Sequence, residues 1–308
     1  MMTKIFSALA CVLTLGFAGA AFAQEPSAAP AATPTATPAP VEEVVVTAQR
    51  TEDIVRAFVA DLSVSVRGSD QLARWDRSIC PGISGLKPQY ARPVLDRIAQ
   101  RAYEIGLDVG APGCKANVLI LVTPNADEVT KKIVDSNRDV LGWHAQRGQV
   151  SQGRDGLREF IASDAPVRWW HVASVTSNDG VRVGDTHTGE ASAVVVDGAS
   201  RIHRPTRVDF GGAFIVVDAN RISGLPLGAL ADYLAMVGLA QLTPETDTAA
   251  YPSILNIFNG VAGGPPAHVT LTDWDMSYLR GLYAAKRDLT ADSQRGDIVN
   301  SMVRSLSQ

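Results

Sequence analysis

Apolar residues recur along this chain with two periods, and the switches between them lay out the elements. In "KPQYARPVLDRIAQRAYEIGL", residues 87–107, Val94, Ile98, Ala102 and Ile105 share one helical face. Pro93 suits the first turn of that helix. "DIVRAFVADLSV" repeats the period with Ile54, Phe58 and Val59. "ANVLILVTPN", residues 116–125, is a continuous apolar run closed by a turn signal, which predicts a buried strand. "ADEVTKKIVDSNRDVLGW" returns to the helical period. Period two takes over in "VRWWHVASVTSNDG", residues 167–180. There Val167, Trp169, His171 and Ala173 alternate with Arg168, Trp170 and Val172, up to the turn signal Asn178-Asp179-Gly180. "EASAVVVDGASRI" and "RVDFGGAFIVVDANRI" predict two more strands, and "GLPLGALADYLAMVGLAQL" a central helix. "HVTLTDWDMSYLRGLYAAK" predicts a helix capped by Thr272, with Asp273 and Asp275 in its first turn. The tail predicts a last helix. Strands interleaved with helices predict an α/β or α+β fold, a mixed twisted sheet with helices packed on it.

The N-terminus breaks this pattern. Lys4 precedes the apolar run "IFSALACVLTLGFAGAAFA", which ends in the small-residue site Ala21-Phe22-Ala23. Residues 1–23 therefore read as a secretory signal, and no later apolar run is long enough to span a membrane. Residues 24–40 follow as a Pro/Ala/Thr linker, with five prolines in residues 25–40. Such a segment favours extended polyproline II and would reach about 50 Å. Residues 41–308 are expected to form a single globular domain, with a possible N-terminal subdomain over 51–115.

Within residues 42–50, "EEVVVTAQR", Val44 to Thr47 are β-prone and predict a short strand that pairs with the domain's sheet. The nine-residue string resembles the start of the plug region in TonB-dependent outer-membrane receptors. That resemblance implies a Gram-negative envelope setting, or a TonB-linked envelope component, but not a barrel, for which the chain is too short.

Charge and cysteines narrow the setting. The formal net charge is −4, and loss of the leader with Lys4 makes it more negative. This argues against a nucleic-acid or anionic-membrane partner. Three cysteines are present, and only Cys80 and Cys114 survive removal of the leader. An even pair in an exported chain predicts a disulfide, which would close a loop of about 35 residues and contribute roughly 3–4 kcal/mol. The expected location is periplasmic or secreted.

The order of elements from about residue 212 to 285 resembles the C-terminal half of metzincin-type zinc peptidases. There a strand leads to an H-E-x-x-H-x-x-G-x-x-H helix, then to a turn with a buried methionine, then to a closing helix. Aligned on Gly238, Ala231 stands at the first histidine, Asp232 at the glutamate, Ala235 at the second histidine and Gln241 at the third. Ser253-Ile254-Leu255-Asn256 resembles the turn, and Leu271-Thr272-Asp273-Trp274-Asp275 the start of the closing helix. In active members of the family an extended peptide pairs with an edge strand above the metal helix. The resemblance implies such an edge at residues 213–220, open to a segment from a partner or from residues 42–50.

Catalytic zinc takes about three protein ligands and a water. Ala231 and Ala235 offer no lone pairs, so no metal and no cofactor are expected, and the peptidase route through a metal-bound water is closed. The five histidines, His144, His171, His187, His203 and His268, include no i, i+3 or i, i+4 pair. "GISG" at 82–85 is not a nucleophile elbow, and Ser200, His203 and Asp209 are close only in sequence. The expectation is an exported, non-catalytic metzincin-like protein with a binding or structural role, its partner a protein or peptide of the cell envelope. The alternative is a metal-independent hydrolase with Asp232 as acid or base.

Overall fold

The computed structural model describes residues 41–143, 149–183, 203–242, 244, 246–259 and 268–307. A five-stranded mixed sheet is built from β1 (Pro81–Ser84), β2 (Val118–Thr123), β3 (Gln149–Val150), β4 (Val167–Ser177) and β5 (Thr206–Asp218). The strand order is β1-β2-β5-β4-β3. β1, β2 and β5 run parallel, while β4 is antiparallel to β5 and to the two-residue β3. Among the described residues seven α-helices accompany the sheet: α1 (Val41–Leu62), α2 (Pro88–Glu104), α3 (Ala126–Ser136), α4 (Gly153–Ala162), α5 (Leu227–Leu239), α6 (Asp273–Ala284) and α7 (Ala291–Leu306). Glu42–Gln308 forms one compact unit.

Local pattern accounts for most of these elements. Val94, Ile98 and Ala102 of α2 are buried, as the helical spacing predicts. Thr272 caps α6, and Asp275 closes the capping box by accepting the Thr272 N–H at 2.9 Å. α5 is buried on every side from Ala229 to Leu239, as befits a helix with an apolar circumference. The β1 strand carries the "GISG" string. Gly85 ends it at φ +88°, where a Cβ would lie 1.8 Å from the Val122 carbonyl oxygen, so only glycine fits.

Two expectations are corrected. Val44 to Thr47 are not a strand; they lie in α1. No glycine or proline interrupts residues 41–62, and burial of Val55, Phe58, Val59 and Leu62 anchors the helix that continues back through the valines. β propensity yields to that context. Residues 213–220 are not an edge. β5 pairs with β2 on one side, Ala213 to Asp218 against Val118 to Thr123, and with β4 along its whole length on the other. Its backbone groups are used on both sides, and residues 42–50 form no strand beside it. The strand expected over "EASAVVVDGASRI" lies outside the described residues.

The sulfurs of Cys80 and Cys114 lie 1.95 Å apart, at disulfide distance, ahead of the neighbouring strands β1 and β2. Among the described residues no helix is long and apolar enough to cross a membrane.

Candidate functional site

Of the four positions that resemble the zinc helix, Ala231 and Ala235 stand one turn apart on α5, while Asp232 and Gln241 meet different neighbours. Ala231 and Ala235 are packed into the core, at 1% and 0% exposure. Their small side chains suit a helix enclosed on all sides.

Asp232 faces α2, where Arg97 and Arg101 stand one turn apart. Arg97 donates Nε and Nη2 to its carboxylate at 2.8 and 2.7 Å, and Arg101 does the same at 2.9 and 3.1 Å. Thr270 Oγ1 and the Leu271 N–H add bonds of 2.7 and 3.0 Å. Burial alone would raise the pKa of this carboxyl, but the two guanidinium forks, Thr270 and Leu271 outweigh it and hold it far below the usual carboxylate range. The group keeps no proton near neutrality and its lone pairs are occupied. It joins α2 to α5 and to the chain before α6, and it is a poor acid or base.

The turn at Ser253 to Asn256 is tied to α6 by a second buried carboxylate. Asp275 accepts from Ser253 Oγ at 2.6 Å and from the Ile254 N–H at 2.9 Å. Thr272 Oγ1 reaches the Pro252 carbonyl at 2.6 Å. Leu255, at the methionine position of the resemblance, is only partly buried against the core.

Gln241, beyond the end of α5, lies elsewhere. It lines a cavity of about 260 Å³ together with Arg168, Trp169, Trp170 and His171. Successive side chains of a strand point to opposite faces. Four consecutive residues can therefore line one cavity only where it runs along the strand's edge. The pairing agrees, since β3 meets β4 only at Ala173 and Ser174. From Val167 to Val172 no strand of the sheet pairs with β4 on that side, among the described residues. Pro166 accepts from the Asp218 N–H at 2.9 Å, which sets the alternation. Arg168, Trp170 and Val172 then turn their backbone groups to β5, and Val167, Trp169 and His171 turn theirs outward.

The side chains around this edge are unevenly satisfied. Both indole N–H groups are used, Trp169 on the Leu242 carbonyl at 3.2 Å and Trp170 on the Leu141 carbonyl at 3.1 Å. Arg168 is 3% exposed and pairs with Asp127 through Nη2, but its Nε and Nη1 find no acceptor among the described residues. Gln241 Oε1 is likewise buried without a donor. His171 stacks on Phe210, with ring centroids 4.5 Å apart, and its Nε2 lies 3.5 Å from the Gly238 carbonyl. Burial pushes its pKa down to about 4, against a weaker opposing pull from that carbonyl, so the ring is neutral at physiological pH. Asp155 and Glu159 of α4 add exposed carboxylates to the lining.

Sequence reasoning named Gln241 only as a zinc-helix position and gave His171 no role, and it missed the edge. One signal was available: Arg168 is the lone formal charge in β4, set among Val167, Trp169 and Trp170. Among the described residues no three His, Cys, Asp or Glu side chains gather as a metal site would require. His203 pairs with Asp288 at 2.6 Å, while Asp209 is engaged by Arg207 and Arg287. Ser200 lies outside the described residues. Compared with known protein families, curated proteins and solved structures, the chain matches none.

Proposed function

We propose that this chain is an exported, non-catalytic binding protein with a metzincin-like C-terminal half. Its open β4 edge takes an extended peptide segment of a cell-envelope partner. The observation that carries this reading is the cavity along Arg168 to His171, where a strand edge and buried polar groups lack partners among the described residues. A segment laid antiparallel or parallel to β4 would pair with the outward backbone groups of Val167, Trp169 and His171, as strand addition requires. Trp169 and Trp170 offer ring surface beside that ladder. Arg168 suits a carbonyl or carboxylate of the segment, and Asp155 and Glu159 suit a basic side chain at the mouth.

The metzincin-like reading is supported by the order β5, α5, turn, α6, and by Asp275, which couples that turn to the closing helix. Export, to the periplasm or beyond, is supported by the leader pattern and by a cysteine pair at disulfide distance. No hydrolytic role is proposed for Asp232, because its carboxylate is saturated.

A photo-cross-linking residue in place of Glu159 tests the reading in the native envelope. It should yield adducts that map to one extended partner segment, and the synthetic segment should compete them away. The same residue in place of Tyr103, which is 76% exposed on α2, should not yield them. Identical adducts from both positions, or adducts that the segment fails to displace, would overturn strand addition at β4.

A further inference from the structure

A second cavity, of about 380 Å³, carries an imbalance of charge. Arg74, Arg77, Arg280 and Arg287 line it, against the carboxylates of Asp76 and Asp108. Four arginines thus share the lining with two aspartates in a chain whose formal net charge is −4. The ion pairs around the cavity leave that excess in place, because Arg207 and Asp209, which join the network, add one charge of each sign. Asp76 is already engaged by Arg207 and by Arg287. Glu104, whose charge reaches Arg280, is held by Arg101 at 2.7 Å.

Arg74 is the unusual member. It is 1% exposed, yet it has no carboxylate partner among the described residues. Its Nη1 caps the end of α6, donating to the Leu282 and Ala285 carbonyls. Its Nη2 is buried with no acceptor. A buried charge normally has a counter-ion, because desolvation is otherwise uncompensated. Burial, and next the charge of Arg287, push the Arg74 pKa down to about 10, the direction expected of a cation in want of an anion. Arg77 and Arg280 are exposed and form no ion pair among the described residues, so both are available to a ligand.

We infer that this cavity is a binding site for a phosphate-type oxyanion, free or esterified. Arg77 and Arg280 would hold it from the rim, and Arg74 would supply the buried charge beneath. An excess of two positive charges matches a phosphate dianion, and guanidinium forks suit its several acceptor oxygens. This inference is independent of strand addition at β4, whose lining residues it does not share.

Calorimetry and thermal denaturation of the full mature chain with inorganic phosphate, against chloride at equal ionic strength, give the test. The expected result is a saturable rise in Tm and measurable heat at concentrations up to about 10 mM. Replacing Arg77→Ala or Arg280→Ala should weaken binding roughly tenfold each, by loss of a charge-assisted contact. Both side chains are exposed, so both variants should fold. Arg56→Ala, on α1, should leave binding unchanged. Glycerol phosphate, and vesicles of phosphatidylglycerol against phosphatidylcholine, separate the sources. Binding of inorganic phosphate alone assigns free phosphate, and equal dependence on Arg77 and Arg280 for the esters assigns an esterified group. No saturable response to any of these anions, or a response that survives in the Arg77→Ala/Arg280→Ala double variant, would overturn the site.

Discussion

Asp232 and Gln241 both belong to the stretch around α5, and both sit where the metzincin pattern places a working residue, yet their surroundings differ in kind. Around Asp232 every oxygen is bonded: two guanidinium forks, a hydroxyl and a backbone N–H converge on one carboxylate. Around Gln241 the accounts stay open. Its amide oxygen, two nitrogens of Arg168 and one edge of β4 lack partners in the described chain. A saturated polar group stabilises a fold but has nothing left for a ligand. An unsaturated one destabilises the free fold and is relieved by a ligand. The contrast separates two positions that the sequence pattern marks alike.

The comparison can be broken first at its sealed end. Asp232→Ala leaves Arg97 and Arg101 facing each other without the charge between them. Loss of one partner from a buried, hydrogen-bonded pair costs about 3–5 kcal/mol, less here for the partial exposure of Arg97. Urea denaturation should show a loss on that scale. A loss under about 1 kcal/mol would mean that the clamp is not structural.

Acid probes the open end. His171 has a folded-state pKa of about 4 against 6.5 for a solvent-exposed imidazole, so the unfolded chain binds its proton first as pH falls. Its contribution is fully present above about pH 6.5 and is lost progressively down to about pH 4, on the order of 3 kcal/mol in all. Asp232 acts lower: its depressed pKa keeps its contribution intact above the usual carboxylate range and gives it up only in stronger acid. Urea midpoints across that range should fall for the native chain and flatten in His171→Gln. Equal slopes in the two proteins would show that another group carries the dependence.

The smallest effect has the most telling sign. Gln241→Leu removes a buried amide oxygen that lacks a donor while nearly preserving volume. It should raise stability by up to about 1 kcal/mol and weaken binding of the partner segment. A clear destabilisation would place a donor on Oε1 and remove one support for the site.

What could be read from the sequence follows from how local each feature is. The α2 face, the β2 strand and the Thr272 cap are set by residues within a few positions of one another, and all three are where the spacing predicts. The centrality of β5 depends on partners far along the chain, Val118 to Thr123 and Val167 to Ser177, and no pattern within "AFIVVDAN" reports them. The same holds for the cavity. Alternation in "VRWWHVAS" assigns each side chain a face, but it is silent on which edge of the strand lacks a neighbour. In α1 the failure is of another type. Three valines favour a strand locally, and the burial of Val55 to Leu62 carries the helix through them.

The Cys80–Cys114 bond has a mechanical consequence. It joins the chain just ahead of two adjacent parallel strands, with Cα atoms 6.1 Å apart across a sequence separation of 34. When the protein is pulled from its ends, tension passes through the sulfurs, and the ring that contains β1 and α2 carries none of it. Arg97 and Arg101 ride inside that ring, although Asp232 does not. Stretching should therefore separate α5 from an unstretched α2, and full extension of the oxidised chain should fall short of the reduced one by roughly 110 Å. Single-molecule force measurements with and without reductant would read that difference as a change in contour length.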